Sequence, residues 1–300
     1  MVFRRGSRPA DPARDDSVRA ALIRAASSPK FELLPLKNLD AQLEFLPAGA
    51  TVSVTASPAK GLEATVELSA RLAGLGHRAI PHLSARMVRD RSHLAELLAR
   101  LEAAGIHEAL VVGGDAQTPG DFPDGLSLLR AMAEIGHGPA EIGIPCYPQG
   151  HSTIPGDRLL AALRDKRPYA TSMTTQLCFD ARAITTWLAA RRAEGIDLPV
   201  YFGIAGVAEL HKLIEISTRI GVRDSRRFLS KNTALVGRIL RPGGYRPDGL
   251  LAALGPTIAD SAAGVAGLHL YTFNQVETTE EWRQAYLTGL AAPGSAGVAR

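Results

Sequence analysis

Glu32 stands inside an apolar run, Phe31-Glu32-Leu33-Leu34-Pro35. A carboxylate there is costly to bury unless it is paired or protonated. Kept protonated, it is a proton donor ready for use near neutral pH; a salt-bridged Glu at a strand start is the structural alternative. Asp115 follows Leu110-Val111-Val112-Gly113-Gly114, where glycines let a ligand approach the backbone, although Gly-Gly-Asp is equally a turn composition. Gln176 ends Thr174-Thr175-Gln176 and offers paired donor and acceptor groups, suited to a heterocycle edge or to capping a loop. His82 follows Ile80-Pro81, and His151 lies in Tyr147-Pro148-Gln149-Gly150-His151. Each suits either a ligand contact or a structural place. The 8 histidines are scattered without H-x-H or H-E-x-x-H, so no metal site is expected. Cys146 and Cys178 read as small core hydrophobes rather than nucleophiles.

These groups gather where eight short apolar runs stop. The runs are Lys30–Leu34, Thr51–Thr55, Arg78–His82, Ala109–Val112, Glu141–Cys146, Ser172–Gln176, Pro199–Phe202 and Gly267–Tyr271. Polar residues at or near their ends are Glu32, Thr55, His82, Asp115, Tyr147, His151, Gln176 and Asn274. Helix-like stripes separate most of them: Gly61–Leu75, Arg91–Ala104, Pro123–Ile135 with proline in its first turn, Asp157–Arg167, Ala181–Glu194, Val207–Ile220 and Thr279–Leu290. Alternation of this kind implies right-handed β-α-β units and a parallel sheet. Eight strands at this length favour a closed (β/α)8 TIM barrel, with active-site residues on the rim at the strand carboxyl ends. No G-x-G-x-x-G follows the first strand, which argues against an open dinucleotide fold. One domain is expected: an N-terminal arm and short helix over 1–28, the barrel over 29–292, and a frayed small-residue tail over 293–300. The stretch Lys231–Gly264 is less regular, with a turn at Arg241–Tyr245 and two helices before the last strand.

Hydrophobic residues make up 46% of the 300-residue chain and charged residues 21%, enough for a real core. The net charge of +4, from 34 basic and 30 acidic residues, comes without a dense Lys/Arg face, so nucleic acid is not an expected partner. No apolar run approaches the roughly 20 residues of a membrane span and no signal peptide is visible. Two cysteines make no disulfide framework. The chain reads as a cytoplasmic enzyme whose exposed barrel helices would allow a homo-oligomer.

In order along the chain, Phe31-Glu32-Leu33-Leu34-Pro35, Ser53-Val54-Thr55, Pro81-His82-Leu83, Gly113-Gly114-Asp115, Tyr147-Pro148-Gln149-Gly150-His151, Thr175-Gln176-Leu177-Cys178-Phe179-Asp180, Gly195-Ile196-Asp197-Leu198-Pro199-Val200 and Leu268-His269-Leu270-Tyr271-Thr272-Phe273-Asn274 resemble the methylenetetrahydrofolate reductase family. The resemblance implies a (β/α)8 barrel that reduces 5,10-methylenetetrahydrofolate to 5-methyltetrahydrofolate, with FAD on the rim and NADH or NADPH as cosubstrate. By position, it implies that Glu32 is the general acid and that Asp115 contacts the pterin and the flavin. Gln176 would contact folate, and Thr55, His82, Gly113, Tyr147 and His151 would contact the flavin. The family's stretch before Thr-Gln becomes Asp165-Lys166-Arg167-Pro168-Tyr169-Ala170-Thr171 here. Arg164, Lys166 and Arg167 keep positive charge in that region for the FAD diphosphate. The altered stretch leaves open direct hydride transfer from NAD(P)H without flavin. A non-catalytic barrel that binds folate or flavin is the alternative of a different class.

Overall fold

Strands joined through helical crossovers can pair only in parallel, and strands so joined read as continuous apolar runs because both faces are covered. That is the arrangement in the computed structural model, which describes residues 16–36, 39–58, 60–207 and 245–292. The strands are β1 (Lys30–Leu33), β2 (Thr51–Val54), β3 (Arg78–Ser84), β4 (Glu108–Val112), β5 (Glu141–Cys146), β6 (Ser172–Thr175), β7 (Val200–Ala205) and β8 (Val265–Tyr271). Each pairs in parallel with the next, and β8 closes on β1, giving a TIM barrel. Register places Lys30 beside Thr51 and His269, and Glu32 beside Ser53 and Tyr271.

The described helices are α1 (Asp16–Ser27), α2 (Asp40–Leu43), α3 (Gly61–Gly74), α4 (Arg91–Ala103), α5 (Gly125–Ile135), α6 (Gly156–Lys166), α7 (Ala181–Ala193), α8 (Asp248–Ala259) and α9 (Val276–Ala291). Side chains alternate along the strands. Phe31, Leu33, Val52, Val54, Val111, Ile144, Phe202 and Ile204 are fully buried in the main core. Lys30, Glu32, Ser53, His82, Glu108, Thr174 and His269 are among the buried polar residues of the alternate positions. The helix α1 joins the outer layer against α8, where a Cβ at Gly255 would lie 2.6 Å from Val18 Cγ1. Arg283 of α9 caps the end of α1, its Nη1 donating to Ala26 O and Ser27 O at 3.0 Å each.

Two helix starts differ from the sequence reading. Pro123 precedes α5 instead of lying in its first turn: Asp124 is the N-cap and closes a capping box with Ser127. The last helix starts at Val276, three residues before Thr279, because Gln42 Oε1 accepts the N–H of Val276 at 2.8 Å from far away in sequence. The expected helix Val207–Ile220 and the turn at Arg241–Tyr245 lie almost wholly outside the described residues, as do the segments 1–15 and 293–300.

Candidate active site

The apolar neighbours of Glu32, Phe31 and Leu33, pack outward, so the pleat sends Glu32 toward the barrel axis with 8% of its surface exposed. Its Oε2 lies 3.0 Å from His269 Nε2 and 3.8 Å from His82 Nε2. His82 Nε2 is itself 2.7 Å from Ser53 Oγ. Burial pushes the His82 imidazole down to about 4, outweighing the attraction of Glu32, with His269 adding to the depression. His82 is therefore neutral near pH 7. Burial and the nearby Glu32 hold the Tyr271 phenol well above its ordinary value, and its hydroxyl donates to Thr175 O at 3.2 Å.

The segment after β8 anchors the backbone of this acid. Thr272 Oγ1 donates to Glu32 O at 2.6 Å. Asn274 accepts the Leu34 N–H at 2.8 Å and donates to Leu34 O at 2.9 Å, copying a strand pairing with its side chain. Beside it, Leu34, Ala205, Tyr245 and Phe273 form a second apolar cluster, with Leu36, Leu177, Phe179 and Tyr271 packed against it. Phe179 and Tyr245 meet edge to face at 5.1 Å. This wall stands where β1, β6, β7 and β8 end.

The other singled-out residues follow strand ends and so share the same rim. Thr55 continues the β1–β2 pairing, its N–H donating to Leu33 O at 2.9 Å. Asp115 and Gln176 are exposed. Tyr147 meets His151 edge to face at 5.4 Å; the His151 Nδ1 lies 3.3 Å from the Thr153 N–H, and burial raises the Tyr147 phenol. The close approach at Gly114 is made by the protein itself: at φ +82°, its missing Cβ would fall 1.9 Å from Ser84 Oγ. Its neighbour Gly113, by contrast, faces open space, with nothing within 4 Å of a Cβ built there.

Two basic residues behave differently. A helix following a strand runs back toward the strand starts, so the last turn of α6 points away from the rim. Arg164 in that turn pairs with Glu194 at 3.3 Å, at the end of α7. Lys166 is half-buried, and burial lowers its ammonium against the pull of Cys146 and Asp124. Lys166 lies close enough to feel Cys146, the residue before Tyr147. Burial raises the Cys146 thiol strongly and the Cys178 thiol to about 11, so neither is a ready thiolate. Among the described residues, no group of three or more His, Cys, Asp or Glu is placed to hold a metal ion.

Sequence reasoning missed His269, Ser53 and Tyr271 as partners of the site. Period-two alternation in Gly267-Leu268-His269-Leu270-Tyr271 puts His269 and Tyr271 on one face, which was the available signal. That this face meets Glu32 depends on closure of β8 against β1.

Fold and site together define a TIM-barrel protein with a buried carboxyl group in the mouth of the barrel and polar side chains around the rim at the strand carboxyl ends. The family model for methylenetetrahydrofolate reductase matches residues 28–285. The chain belongs to the methylenetetrahydrofolate reductase family. Its curated relatives include "5,10-methylenetetrahydrofolate reductase" of Pectobacterium carotovorum subsp. carotovorum, 26% identical over 206 residues, 67% of this chain and 67% of the relative. "Methylenetetrahydrofolate reductase 1" of Schizosaccharomyces pombe is 26% identical over 188 residues, covering 59% of this chain and only 30% of that longer protein.

Proposed function

We propose that this chain reduces 5,10-methylenetetrahydrofolate to 5-methyltetrahydrofolate with NADH or NADPH. The observation that carries the reading is Glu32: a carboxyl group buried in the barrel mouth of a family member, hydrogen-bonded to His269 and anchored through Thr272. Glu32 acts as the general acid, delivering a proton to the folate ring nitrogen as the five-membered ring opens. The resulting iminium carbon accepts hydride. Asp115 and Gln176 hold the pterin from the rim, and the apolar cluster around Tyr245 keeps water from the reacting carbon.

Bound FAD would relay hydride from the nicotinamide to folate. Thr55, Gly113, Tyr147 and His151 would hold its ring, with Gly113 leaving open space there. Its diphosphate would lack Arg164, which is turned to Glu194. That placement favours a second reading, direct hydride transfer from NAD(P)H. The work of Glu32 is the same in both.

The test is the visible spectrum of the purified protein, followed by nicotinamide oxidation with and without methylenetetrahydrofolate. Flavin bands that bleach with nicotinamide and return with folate support the relay. A colourless protein with folate-dependent oxidation supports direct transfer. Folate binding without turnover would leave a non-catalytic binder and sink the reductase. Glu32→Gln is expected to lower folate reduction by about 10² to 10⁴ while folate still binds.

A further inference from the structure

His269 is 1% exposed and, among the described residues, bonds only through Nε2; its Nδ1 is buried with no hydrogen-bond partner among them. A buried polar nitrogen left unpaired costs about 1–3 kcal/mol. Directly beneath Glu32 lies an internal cavity lined by Lys30, Ser53, Glu108, Gly143, Thr174 and His269, among others. It offers about 10 Å³ to the centre of a water molecule, which is room for roughly one water with polar partners on several sides. The void exists because β5 carries glycine at position 143. A Cβ there would lie 2.9 Å from Leu110 Cδ1 and 3.5 Å from Ser172 Oγ.

The partners constrain how such a water is oriented: the Glu108 carboxylate can take one of its hydrogens, which leaves the other for His269. Lys30 is a donor only; its ammonium is paired with Glu108 and lies 3.8 Å above the Tyr201 ring. A water accepting from Lys30 turns its own hydrogens outward and donates to His269 Nδ1. The imidazole then carries its proton on Nε2 and donates to Glu32 Oε2. With Oε2 occupied as an acceptor, the transferable proton of a neutral Glu32 sits on Oε1. In the opposite tautomer, Nε2 would draw the proton onto Oε2 and into the protein.

We propose that one water in this cavity bridges Lys30 and His269, fixes the Nε2–H tautomer, and makes His269 the positioning residue that keeps the proton of Glu32 on the oxygen left for substrate. The inference rests on the reading of Glu32 as the acid.

Nitrogen NMR of histidine-labelled protein reads the tautomer without any turnover. The wild-type chain is expected to show a protonated Nε2 and an unprotonated, hydrogen-bonded Nδ1 at His269. Gly143→Ala fills the cavity against a flexible leucine end. It should mix the tautomers and lower kcat for folate reduction about 10- to 100-fold, the scale of a small misplacement, with KM within about threefold. His269→Gln offers an amide donor that has no tautomer, so whatever turnover it keeps should be insensitive to Gly143→Ala. Additive losses in the double variant would assign His269 a packing role and overturn the proposal. A wild-type His269 protonated on Nδ1 would overturn it at once, even if Gly143→Ala failed to fold. A wild-type chain with the expected tautomer but no folate turnover would instead remove the reductase reading.

Discussion

Burial and attraction pull His82 in opposite directions, and burial wins: the folded imidazole titrates at about 4 against 6.5 when free. The linkage follows directly. Between those values the unfolded chain binds the proton and the folded chain does not. The stabilising contribution is therefore complete above the free value and is lost as pH falls from 6.5 toward 4. Its ceiling is about 3 kcal/mol, of which about 2 should be gone by about pH 5. Urea midpoints at neutral and mildly acid pH measure it, and His82→Gln should flatten that limb. An unchanged slope in the variant would place the acid sensitivity elsewhere. At this scale the sequence was partly legible. Glu32 showed itself because a carboxylate between Phe31 and Leu33 breaks an apolar run. His269, 237 residues away, did not, because no local pattern tells which strand closes a barrel onto the first.

Asn274 shows what the elements contribute. Phe273 and Asn274 both have left-handed backbones, φ 52° and 57°, directly after β8. Asparagine tolerates that region and phenylalanine does not, at a cost on the order of 1–3 kcal/mol. The strain is held by the two bonds of the Asn274 amide to Leu34 and by the N–H of Asn274 donating to Thr272 Oγ1 at 3.1 Å. Since Thr272 also grips the carbonyl of Glu32, the turn ties the end of β8 to the residue that carries the acid. Asn274→Ala is expected to cost about 2–3 kcal/mol, and to lower kcat for folate reduction more than it raises KM. Asn274→Gly should relieve the backbone part of the stability loss and leave the loss of kcat. Recovery of both would mean that the turn is strained for reasons unconnected with Glu32. Element boundaries were legible to within a few residues because apolar runs and glycine stops are local signals. The starts of α5 and α9 were not, since the first turns on Asp124 outcompeting a proline and the second on a cap lent by Gln42.

Across the whole barrel, the stack along the axis joins stability to chemistry. The buried pair Lys30–Glu108 forms a floor, with the cavity above it and the Glu32–His269 bond above that. Burial lowers the Lys30 ammonium, and the neighbouring Glu108 only partly pulls it back up. Theory of buried ion pairs then separates two variants. Lys30→Met leaves Glu108 an unpaired buried charge and should cost about 3–5 kcal/mol, whereas Lys30→Met with Glu108→Leu should restore much of that loss. If the floor were only structural, the double variant would regain folate turnover together with its melting temperature. The donor chain argued above predicts otherwise. Met and Leu offer the cavity water no hydrogen-bond donor, so His269 loses its fixed tautomer and Glu32 the orientation of its proton. The double variant should therefore melt near the wild-type temperature and still reduce folate about 10-fold or more slowly, within the range expected when a reacting group is misplaced. Thermal unfolding and steady-state kinetics on the same three proteins decide it. Recovery of turnover in step with stability would confine the barrel floor to packing.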